Sequence, residues 1–179
     1  MTQALQKKAE RERRAAEDLR RWHSERFRVA KELFYRVKET ERILWAACAS
    51  LPSDEECARF REAGHTTIFS VREADVPPDA GDPLIFNAGH LETIKEALLQ
   101  AHELLEEAEQ LTAEISILTE GATPDAATVM FEATWEAAGA LETTRGSRDA
   151  AVRAVLTMKE PIAAFQASVR EELGVTTPP

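Results

Sequence analysis

The chain has 179 residues, a formal net charge of −10 and a hydrophobic share of 44%, but 30 of its residues are alanine. The larger apolar residues number 48, enough for one thin core and too few for a string of modules. Only seven glycines, with 30% charged residues, is the composition of long helices, and it argues against a sheet enzyme with glycine-rich ligand loops.

The opening residues, Met-Thr-Gln-Ala-Leu-Gln-Lys-Lys, lack the apolar stretch of a secretory leader. The longest apolar run, Ile43 to Ala49, spans seven residues. A membrane-crossing helix needs about 20. Cys48 and Cys57 are too few for a disulfide framework. The expectation is a cytoplasmic chain with free thiols and no membrane span.

Residues 2–51 contain neither Gly nor Pro. Ala16, Leu19, His23, Arg26, Ala30, Leu33, Val37, Thr40, Leu44, Ala47 and Leu51 follow the helical 3–4 spacing. This predicts one helix of about 48 residues, near 70 Å long at about 1.5 Å per residue. His23 and Arg26 are the polar misfits of that seam. Pro52 stops the helix, and Ser53-Asp-Glu-Glu56 forms a capping box that opens a short helix ended by Gly64. Residues 64–88 read as irregular. Thr66–Val71 and Leu84–Phe86 have the pattern of a small β-hairpin, or of a loop plugging a bundle end.

A second long helix is predicted over about 89–120, with the seam Leu91, Ile94, Leu98, Ala101, Leu105, Ala108, Thr112 and Ile115. Leu104, Leu111 and Leu118 make a second stripe, so this helix should touch two neighbours. Gly121 ends it, and Thr123-Pro124 restarts the chain antiparallel. In the third stretch, 124–173, the seam runs from Ala127 to Val169 and keeps phase through Gly146. That favours one continuous path with a weak spot at 146 and a kink at Pro161. Arg145-Gly146-Ser147 signals the opposite, one helix ending and another being capped. The predicted fold is all-α, an elongated antiparallel bundle of three long helical paths. Residues 1–28 are its basic, projecting start, 29–173 the body and 174–179 a disordered tail.

Charge is uneven. Residues 1–42 carry 13 Lys/Arg and eight Asp/Glu, whereas Glu73–Thr144 carries 16 acids and one base, Lys95. Lys7, Lys8, Arg11, Arg13, Arg14, Arg20, Arg21, Arg26 and Arg28, interleaved with Trp22 and Phe27, form a basic arm. Such an arm on an acidic body suits a protein partner or a second copy of the chain. Its alternative use is binding nucleic acid, with arginines on phosphates and aromatics on bases, although Glu10, Glu12, Glu17, Asp18 and Glu25 are mixed in.

Signals for chemistry are sparse. Glu62-Ala-Gly-His65 has the spacing of a di-iron ligand pair, but no second Glu-x-x-His exists and Gly64 breaks the helix inside the motif. His102 and Glu106 share a helix flank at i,i+4, where a solvated pair is the plainer reading. His23 suits a core or interface position, and His90 the first turn of the middle helix. Arg59-Phe-Arg-Glu-Ala-Gly-His65 resembles, over seven residues, the Arg-x(4–6)-His signature of the all-helical HEPN ribonucleases. It departs in carrying Phe60 where that family is usually polar, and in Gly64. Cys48 reads as an inert buried thiol. The expectation is therefore a non-enzymatic, self-associating helical assembly protein, either scaffold or adaptor, without a cofactor or metal. Nucleic-acid binding stands second and a helical enzyme third.

Overall fold

The structure is a computed structural model that describes residues 2–51, 53, 55, 58, 88–143 and 148–174, and only the backbone at 2–9, 12, 88–91 and 143. Its helices are α1 (Thr2–Ala49), α2 (Ala88–Leu118), α3 (Ala122–Thr143), α4 (Arg148–Leu156) and α5 (Lys159–Glu172). No strand occurs among the described residues. The short helix expected after Ser53 is seen only as helical backbone at Glu55 and Ala58. The possible hairpin at 64–88 lies outside the described residues.

α1 runs unbroken for 48 residues, as the uninterrupted sequence predicts. Its seam is buried only from Ala30 onward, where Leu33, Val37 and Leu44 have no exposed surface. Ala16, Leu19 and His23 continue the same face but are exposed, and among the described residues no element packs beside them. α2 buries Ile94, Leu98, Ala101, Leu105, Ala108 and Ile115 and half-buries the second stripe. It lies against α1 on one flank and α3 on the other, as its two stripes require. Gly121, at φ 93°, occupies the left-handed region that only glycine adopts without strain, and α3 then returns antiparallel.

The third path is not continuous. α3 packs along α5, which is impossible for consecutive segments of one straight helix, so the chain reverses between Thr143 and Arg148. Residues 144–147, including Gly146, lie outside the described residues. The body is thus an up-down-up-down bundle of four helical rods, the last made of α4 and α5. Seam phase survived the reversal because the inward faces on both sides, Leu141 before and Ala151 and Val155 after, point to the same core. Phase reports which face is buried and is blind to direction. The glycine-serine signal was the better guide.

The kink expected at Pro161 appears one turn upstream. Pro161 has no N–H to give Thr157 and its ring crowds that carbonyl. Met158 N–H accordingly bonds Val155 O at 3.2 Å in a tightened turn, and the regular ladder resumes with Ile162 N–H to Met158 O at 3.1 Å. The polar seam positions are satisfied locally. Buried Thr40, Thr112 and Thr134 each donate a hydroxyl hydrogen bond to the carbonyl four residues earlier, at 2.9, 2.8 and 2.7 Å. Buried alanines (Ala101, Ala108, Ala127, Ala137, Ala151) let the helices approach closely around Leu105, Met130 and Phe165.

Two arginines clamp the bundle ends, Arg148 and Arg26, the latter a polar misfit of the α1 seam. At one end Arg148 donates to Leu51 O at 2.6 Å and Ala49 O at 3.3 Å, covering the carbonyl end of α1. At the other, Arg26 donates to Leu118 O at 2.5 Å, the last residue of α2, and to Glu172 Oε1 at 3.2 Å at the end of α5. A cation is favourable at a helix C-terminus and satisfies carbonyls that have no partner within the helix. Arg148→Ala is expected to destabilise the fold by about 1.5–3 kcal/mol, the usual worth of hydrogen bonds from a charged group. Arg148→Lys should recover only part, since a single ammonium cannot serve both carbonyls with planar geometry. Urea midpoints of the three proteins check this.

Candidate docking surface

Because Arg26 marks the end of the body, residues 2–25 form a helical arm beyond it, about 36 Å long at about 1.5 Å per residue. Arg11, Arg13, Arg14, Arg20 and Arg21 are all exposed along it, and of Lys7 and Lys8 the backbone alone is described. Leu19 is 61% exposed and Trp22 49%, with Arg26 stacked over the Trp22 ring at 5.8 Å. His23, expected in a core or interface, is exposed.

The eleven residues of the sequence-predicted arm are not equivalent. Arg26 is committed to the end clamp. Arg28 is tied to Glu25 at 2.8 Å and Glu32 at 2.7 Å, and reaches Glu114 of α2 at 3.8 Å. Its hydrogen bond holds the Glu25 carboxyl below the ordinary carboxylate range. Arg36 pairs with Glu107 at 2.7 Å, so the basic face of α1 is met by the acidic flank of α2 within one molecule. Phe27 leaves the arm to line an apolar groove with Phe34 of α1 and Phe165 and Val169 of α5. Before Arg26, Arg13 pairs with Glu17 at 3.4 Å, whereas Arg11, Arg14, Arg20 and Arg21 have no ion-pair partner among the described residues.

A second surface was not singled out in the sequence. On the outer side of α2 and α3, Phe131 and Trp135 form the floor of a groove edged by Glu109, Glu132 and Glu136. The two rings are 6.2 Å apart, and Trp135 meets the His102 ring edge-on at 5.7 Å. His102 Nδ1–H donates to Leu98 O at 2.9 Å while Nε2 stands 3.4 Å from Glu142 Oε1. The imidazole thus bridges α2 to α3 rather than pairing with Glu106. The available signal was an aromatic pair at i,i+4, Phe131 and Trp135, set just off the α3 seam and flanked by acids.

Family models, curated proteins and solved structures were compared with this chain, and none matches.

Among the described residues no three His, Cys, Asp or Glu side chains gather to hold a metal ion. Likewise no helix there is long and apolar enough to cross a membrane. Glu62, His65 and the Arg59–His65 ribonuclease-like stretch lie outside the described residues, as does Cys57. His90 falls in the first turn of α2, as predicted, with its backbone alone described. Cys48 is buried, and desolvation pushes its thiol up to about 11, so it stays protonated and unreactive at neutral pH.

Proposed function

We propose that this protein is a non-enzymatic helical assembly factor that self-associates through the arm at the start of α1. The observation that carries the reading is a helix continued far past its bundle, with Leu19 and Trp22 exposed among Arg11, Arg14, Arg20 and Arg21, which have no ion-pair partner among the described residues. A lone helix of that length is marginal in water, so a partner surface would stabilise it. The charge layout supports self-association over nucleic acid. The body is acidic and would repel phosphates, yet it offers the arm a complementary surface on every copy.

Sedimentation equilibrium of the intact chain across protein concentration tests this. The expected result is a mass above that of one chain at low salt, falling as salt rises, since exposed charges are screened over about 10 Å at 0.1 M and about 3 Å at 1 M. A chain that stays monomeric at low salt, yet binds a single-stranded or duplex oligonucleotide with a steep salt slope, would overturn the reading in favour of nucleic acid.

A further inference from the structure

We infer that the groove between α2 and α3 receives the basic arm of a second copy, so that assembly is head-to-tail. This rests on the reading of α1 as an assembly arm and names the surface that takes it. Trp135 is 47% exposed and lines this groove, and the ring of tryptophan is the aromatic surface that attracts an arginine side chain best. Among the described residues no cation pairs with Glu109, Glu132 or Glu136. On the opposite flank of α2, by contrast, Glu107 and Glu114 are met by Arg36 and Arg28. The groove thus combines an apolar floor with unmatched negative charge.

The arm is its complement. Arg20 and Arg21 are exposed, and Leu19 and Trp22 beside them supply apolar surface for the floor. The occupant has to come from another molecule. α1 is one unbroken helix, and its arm leaves the body past Leu118, whereas the groove lies further back along α2, near Glu109. A contact between two different surfaces is heterologous, so each added copy leaves one arm and one groove free, building a ring or an open chain.

The test uses two charge-reversed full-length chains, R20E/R21E in the arm and E132R/E136R in the groove, with W135A as a neutral groove variant. All the altered side chains are exposed, and far-UV circular dichroism and urea midpoints confirm that the bundle persists. Each charge-reversed variant alone should self-associate about tenfold more weakly or worse, because like charges then face each other, and W135A should weaken association by removing the aromatic floor. Mixed in equal amounts, the two reversed chains should recover most of the lost association, with the two variants alternating in the assembly. The unaltered arm of the groove variant meets the unaltered groove of the arm variant, and the two reversed surfaces are again opposite in charge.

Groove variants that associate like the unaltered chain would overturn the inference and leave the arms pairing with each other. If the arm variant also associates normally, the reading of α1 as an assembly arm fails as well. If the unaltered chain is monomeric and its arm takes up an oligonucleotide, both fail.

Discussion

Leu98→Asp is expected to unfold the protein at ordinary temperature. Leu98 is 3% exposed, in the α2 seam between α1 and α3. Removing a buried leucine side chain costs about 2–5 kcal/mol through lost transfer energy and an unfilled cavity. An aspartate there adds a carboxylate with no cation to pair with, which must either protonate or draw in water. The sum approaches the whole stability of a typical domain, about 5–15 kcal/mol, and this core is thin in large side chains. Far-UV circular dichroism and urea titration read the outcome. An unchanged midpoint would mean that α2 does not run through the core.

The burial of α2 was legible in the sequence because Ile94, Leu98, Ala101, Leu105, Ala108 and Ile115 are spaced at the helical period, and that period is a direct record of one face meeting others. The same holds for Leu33 to Leu44 in α1 and Met130 to Leu141 in α3. The polar members of those seams were legible too, since threonine can be buried while bonding its own helix. Chain direction was not legible. Leu141 and Ala151 remain in phase whether the rod continues or folds back, and only Gly146-Ser147 hinted at the reversal. The end clamps were half visible. Arg26 was apparent as a break in an apolar pattern, but its target Leu118 O, and the targets of Arg148, Leu51 O and Ala49 O, lie 92 to 99 residues away and are set by tertiary packing alone. The aromatic groove was missed for a similar reason. Phe131 and Trp135 look like ordinary flank residues until α2 brings Glu109 and His102 beside them.

The arm is where sequence and structure meet most plainly. Its polar break at His23 and Arg26 predicts a change of environment, and the first buried residues, Val29 and the seam's Ala30, follow directly. Upstream of that point the helix gains nothing from the core, so removing it should cost the body little. The body keeps Arg26, all four rods and every buried side chain named above. What should be lost is association, because the exposed Arg11, Arg14, Arg20 and Arg21 and the apolar pair Leu19 and Trp22 go together.

Sedimentation velocity of the intact chain beside a chain lacking residues 1–25, at low and high salt, is therefore the most direct test. The account predicts that the shortened chain is folded and monomeric at every salt concentration. The intact chain should be larger at low salt and approach a single copy only when its charges are screened. A shortened chain that keeps the same salt-sensitive association as the intact protein would contradict the account.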